Sequence, residues 1–188
     1  MRRFQVPGRS WPQVDASARS VLSTVAPQCL EEACAAPILQ IFEGGLTEAY
    51  GVGYGVEELP YGTEARFDPG SNEIILDVQV YLDLYDGQSR ARFTVAHEIG
   101  HAILHGRYYK EILTGNRKAK FLNRGDIPHY ADPEKQANRF ASEFLMPTPL
   151  VEELMRQGCS PLDLAHIFHV SFSAAEIKYT NVRKNLGL

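Results

Sequence analysis

The chain has 188 residues, 44% apolar and 22% charged, which is the make-up of a globular domain able to bury a core without staples. Its formal charge of -4 excludes a strong overall positive field of the kind that gathers nucleic acid. Three cysteines with no CxxC spacing argue against a disulfide framework and for a reducing compartment. The basic start MRRFQVPGRSWPQV has no apolar run behind it, and no stretch reaches membrane-span length. A cytoplasmic protein is the expectation.

Residues 1–14, with Pro7, Gly8 and Pro12, read as a flexible amino-terminal arm. Asp15 is placed to cap a helix over 16–24. Cys29 and Cys34 are five residues apart, about 140° round a helix, so they would not share a ligand face. The run ILQIF suits strand or helix. Residues 44–62, GGLTEAYGVGYGVEELPYG, lack the GxGxxG spacing and the lysine of a phosphate loop and read as loop and irregular strand. Two extended runs, 65–67 and 73–78, flank the turn DPGSN as a β-hairpin, and residues 79–85 read as a short helix.

Residues 88–105 carry apolar positions at helical spacing, with Gly106 as the expected stop. Residues 107–131 read as a long surface segment. Asp132 and Pro133 open a helix to Leu145. Further helices are expected at 150–156, after Ser160–Pro161, and from Ser173 to the closing Gly187.

The stretch FTVAHEIGHAILHG holds His97, Glu98 and His101. Histidines four apart on a helix share a face, so both rings can reach one ion at about 2.0–2.1 Å. Glu98 lies about 100° round from His97, able to miss the metal yet reach a water beside it as general base. A core helix with two buried histidines is the plain alternative, and a third ligand decides between them. His105 is not that ligand, because about 12 Å of helix rise separates it from His97. It reads as a buried or helix-end histidine. The helix DPEKQANRFASEFLMP is the best source: Glu134 lies in its first turn, with Asn138 four residues on to orient a ligand histidine. A carboxylate at a helix start is also expected for the dipole alone. Glu143 is a weaker alternative ligand.

The segment RARFTVAHEIGHAILH resembles the signature of the ImmA/IrrE metallopeptidases. PEKQANRFASEFLMP resembles that family's second signature, and LAHIFHVSFSAAEIKYTNVRKNLGL its carboxyl-terminal helix-turn-helix-like segment. The resemblance runs from Arg90 to Leu188. It implies a gluzincin-type site in which His97 and His101 are ligands, Glu134 is the third, and Glu98 is the base. The implied cofactor is one Zn2+ per chain, with Mn2+ as the other candidate ion. The implied activity is cleavage of a protein substrate, a DNA-binding helix-turn-helix repressor encoded nearby, in mobile elements or a stress response. His129, Tyr130, Tyr108 and Tyr109 are candidates for an oxyanion donor or substrate contact, and Arg92 is expected to brace the active-site helix.

The expected fold is α+β: a small antiparallel or mixed sheet packed on the HExxH helix. A metallopeptidase core over 15–149 is followed by a helical segment over 150–188 packed on it. Lys178, Arg183 and Lys184 form a modest basic face there, but direct nucleic-acid binding and membrane contact are not expected. The alternative function is a zinc-binding regulator or sensor that holds a transcription factor without cutting it.

Overall fold

The computed structural model describes residues 2–123 and 127–187. Met1, Leu188 and residues 124–126 of the predicted loop lie outside the described residues. The fold is α+β and mostly helical. A short strand β1 (Arg2–Phe4) precedes helix α1 (Trp11–Val25), and the short helices α2 (Gln28–Glu31), α3 (Ile38–Gln40) and α4 (Leu46–Tyr50) follow, with a π turn at Ile41–Gly45. Strands β2 (Gly53–Glu57), β3 (Ala65–Asp68) and β4 (Glu73–Asp77) lead into α5 (Val78–Tyr85) and the long α6 (Ser89–Leu113). Strand β5 (Phe121–Asn123) and a 3-10 turn (His129–Ala131) precede α7 (Pro133–Leu145), α8 (Thr148–Arg156), α9 (Pro161–Phe168) and α10 (Phe172–Asn185).

The sheet is mixed, in the order β2-β4-β3, with β2 parallel and β3 antiparallel to the central β4. The hairpin read from DPGSN is the β3–β4 pair. β4 is the buried strand, with Ile74, Ile75 and Leu76 in the core, as a central strand covered by helices requires. Strand β3 lies at the sheet edge against α6.

Several expectations are corrected. The amino-terminal segment is not a loose arm: β1 pairs antiparallel with β5, Val6 N–H donates to Ala131 O, and Arg9 N–H donates to Tyr130 O. Helix α1 starts at Trp11 because the Ser10 N–H is met by Gln13 Oε1 at 2.9 Å and Pro12 sits in the first turn. Asp15 is therefore inside the helix and pairs with Arg139 of α7 through two bonds of 2.6 and 2.5 Å. Helix α6 does not stop at Gly106. That glycine packs against Phe67, whose ring a Cβ would meet at 3.2 Å, so it serves a close contact rather than a cap. The glycine–tyrosine segment holds the expected strand, β2, but also the short helix α4 in place of part of the loop. Cys29 and Cys34 do meet, Sγ to Sγ at 3.1 Å, because α2 ends at Glu31 and the chain turns before Cys34.

Helices α6 and α7 cross where both are small. A Cβ on Gly100 would lie 3.1 Å from Ala137 Cα and 3.3 Å from Ala137 O. Backbone cannot yield as a side-chain tip can, so the crossing requires glycine. One turn before each contact residue lie His97 and Glu134, so the close approach brings their side chains together. Gly100→Val is expected to cost about 1–3 kcal/mol by overpacking, read as a lower urea midpoint with an unchanged slope. Wild-type stability would mean that the helices separate freely. Among the described residues no helix is long and apolar enough to cross a membrane.

Candidate metal centre

Helix α6 presents His97 and His101 on the face toward α7. Helix α7 opens with Asp132, whose carboxylate accepts from Glu134 N–H at 3.0 Å, and this cap sets Glu134 in the first turn facing α6. The Nε2 atoms of His97 and His101 are 3.0 Å apart, and Glu134 carboxylate oxygens lie 3.5 Å from His97 Nε2 and 3.7 Å from His101 Nε2. One ligand atom from each of the three residues falls within 4.8 Å of the others. His97 Nδ1 is 2.9 Å from Asn138 Oδ1. A carbonyl oxygen only accepts, so His97 carries its proton on Nδ1 and turns the Nε2 lone pair inward. Two imidazoles and a carboxylate at this spacing fit a zinc ion. Mn2+ shares these donors, though it is drawn more to oxygen.

The pKa shifts differ between the two histidines of the site. Burial works against a charged His97, but the Glu134 hydrogen bond and the charges of Glu98 and Glu134 outweigh it and raise its pKa. Burial, with His97 beside it, holds His101 down at about 4. Glu98 is pushed up to about 7, first by burial and then by Glu134, against the pull of His97 and a hydrogen bond from the Phe67 backbone N–H.

Two clefts flank the site, of about 1040 and 510 Å³. His97, Glu98 and Ala65 line both. The larger runs between β3 and α10 and holds Phe93, Met146, Val170 and Ile177. The smaller holds His101, Glu134, Tyr109 and Phe67.

Of the four candidate donors, the structure brings Tyr109 to the site. Its ring lies 6.4 Å from His101 and 5.6 Å from His105 between centroids. Burial and the nearby Glu134 and Glu98 raise its pKa. Tyr108 and Tyr109 stand on α6, not on a loop. Tyr108 faces away, its hydroxyl donating to Gln5 O at 3.0 Å. Tyr130 is exposed and its ring abuts Gly8. His129 is exposed in the 3-10 turn, and neither lines the two clefts.

Glu143 is corrected as a ligand candidate. It is fully buried in an ion pair with Arg19 and with Lys178 at 2.6 Å, at the far end of α7. Lys178 accordingly leaves the predicted basic face. Arg92 is buried and donates to His169 O and Ala36 O, each at 3.0 Å, tying α6 to the end of α9. The Phe67 backbone beside Glu98 carries no sequence signal. Tyr109 does: positions 97, 101, 105 and 109 form a single four-residue series once α6 extends past Gly106.

A family model described as the IrrE N-terminal-like domain, a peptidase family, matches residues 60–180. Among solved structures, a Mycobacterium tuberculosis transcriptional regulator is similar, with a TM-score of 0.57 and 15% identity. The match covers 86% of this chain and 44% of that one, so this chain spans under half of that protein's length. No curated protein matches. The family match takes in β3, the HExxH helix, Glu134 and Asn138, and the chain belongs to the IrrE N-terminal-like peptidase family.

Proposed function

We propose that this chain is a zinc-dependent endopeptidase whose substrate is a helix-turn-helix transcriptional repressor encoded nearby. The observation that carries the reading is the convergence of His97, His101 and Glu134 with Glu98 beside them, where two clefts meet. Family membership and the three ordered signatures support the protein substrate.

When bound, zinc supplies a Lewis acid that lowers the pKa of water towards about 7 and stabilises negative charge on oxygen. His97, His101 and Glu134 would hold it, and Asn138 would keep the His97 ring turned to it. Glu98 takes the proton from the attacking water and passes it to the leaving amine. The Phe67 backbone N–H beside Glu98 favours its charged form. Asp77 N–H donates to Glu64 O at 2.9 Å, so in this antiparallel pair Glu64 and Arg66 turn their backbone to β4, and Ala65 and Phe67 turn theirs away. This edge offers backbone partners to an extended peptide laid beside β3. Tyr109, which lines the smaller cleft with His97, Glu98 and His101, is the residue we assign as donor to the developing oxyanion. Phe93, Met146, Val170 and Ile177 suit an apolar substrate side chain next to the scissile bond.

The test is to incubate the zinc-loaded chain with each helix-turn-helix regulator encoded beside its gene and to map products by mass spectrometry. Cleavage of one regulator at a defined bond is expected. Zinc binding with a stable complex and no cut would put the non-cleaving regulator in its place.

A further inference from the structure

We propose that His105 and Gln136 form a hydrogen-bond relay that fixes the tautomer of His101, making His105 a positioning residue for the metal. The inference rests on the metallopeptidase reading of the site. His105 is too far along α6 to bind the ion with His97, yet it is almost fully buried, at 1% exposure. Its Nδ1 lies 3.2 Å from His101 Nδ1 and its Nε2 lies 3.0 Å from Gln136 Oε1.

The direction of the relay follows from its far end. Gln136 is fully buried, and its amide nitrogen donates to Tyr130 O at 2.6 Å and to Pro7 O at 3.1 Å. Backbone carbonyls only accept, so both amide hydrogens are committed and the amide cannot turn over. Gln136 Oε1 must face His105, and it too only accepts. His105 therefore carries its proton on Nε2. An uncharged imidazole protonated there has an acceptor lone pair on Nδ1. The His101 Nδ1 must then donate, and its Nε2 is left as a lone pair, 3.0 Å from His97 Nε2 and 3.7 Å from Glu134.

A ligand histidine ordinarily gives its second N–H to a carboxylate, a backbone carbonyl or a water, groups whose accepting role is settled. A histidine in that place accepts in only one of its two tautomers. Gln136 supplies the missing information, and it takes it from the backbone of the amino-terminal segment and of the 3-10 turn. Arg9 ties the same segment to α6 through Leu104 O at 3.3 Å. The seating of residues 7–9 is thereby coupled to the orientation of a metal ligand.

The test compares zinc affinity, by chelator competition, in wild type, His105→Phe and His105→Gln. Phenylalanine fills the space without accepting. Glutamine accepts from His101 with its carbonyl oxygen and donates to Gln136 with its amide. His105→Phe is expected to weaken zinc binding roughly 10–100-fold, and His105→Gln to recover most of that loss. Equal affinity in all three overturns the relay. Imidazole 15N shifts of the wild-type protein supply a second readout that folding defects cannot confuse: His105 protonated on Nε2 and His101 on Nδ1 is the expected pattern. His105 protonated on Nδ1 overturns the relay, whether or not metal is bound. Failure of the wild type to take up zinc, with the expected shifts intact, would instead count against the metal reading alone.

Discussion

Glu98→Gln is expected to lower peptide cleavage by about 10²–10⁴-fold, the usual worth of a general base, while zinc content stays at the wild-type level. The two side chains have the same shape, so the fold has no reason to respond. What is lost is the ability to take a proton from water at neutral pH. The candidate ligand atoms come from His97, His101 and Glu134, so metal uptake is not expected to depend on Glu98. Initial rates on a cleaved regulator, with metal analysis of the same samples, check both halves. A variant that cuts at the wild-type rate would remove Glu98 from the chemistry. A variant that loses its metal would make Glu98 a ligand instead.

Glu143→Leu is expected to destabilise the protein by about 3–5 kcal/mol, as for a buried ion pair deprived of one partner. The Glu143 carboxylate accepts from Lys178 at 2.6 Å, from Thr148 N–H at 3.1 Å and from Thr148 Oγ1 at 2.5 Å, and it also pairs with Arg19. Lys178 is 2% exposed, so its ammonium would be left in the interior with the Thr148 hydroxyl, 2.8 Å away, as its remaining hydrogen-bond partner among the described residues. Urea unfolding measures the loss. The double variant Glu143→Leu/Lys178→Met should lose less than the single one, because no charge is then stranded. A single variant within about 0.5 kcal/mol of wild type, the scale of a surface change, would mean that water reaches Lys178.

The same carboxylate sets an acid limit. Burial would raise its pKa, but the Lys178 charge and the hydrogen bonds from Lys178 and Thr148 prevail and hold it below the ordinary 4.5. A depressed folded-state pKa stabilises the protein above about 4.5 and loses that contribution as pH falls through the folded value. Wild-type stability should fall on acidification in that range, and Glu143→Leu should show a flatter slope.

His97, Glu98, His101, Glu134 and Asn138 were legible because helical spacing and side-chain chemistry together restrict where such residues can point. The β3–β4 hairpin and the start of α7 were legible because turn and capping residues act locally. What was hidden depends on contacts distant in sequence. Gly106 reads as a helix stop until Phe67 is seen against it. Lys178 reads as part of a basic face until Glu143 is found beneath it. The amino-terminal residues read as loose because their partners, Lys120, Tyr130 and Ala131, lie more than a hundred positions away. His105 reads as a buried or helix-end histidine; it is buried but lies well inside α6, and its link to Gln136 needs the crossing of α6 and α7.

The most direct test of the central claim is zinc-edge X-ray absorption with metal counting on wild type and Glu134→Ala. The account predicts one zinc ion per chain, with two imidazoles and a carboxylate in its coordination shell, and a weakened, carboxylate-free site in the variant. A protein that takes up no zinc, or a variant with an unchanged shell, would contradict it.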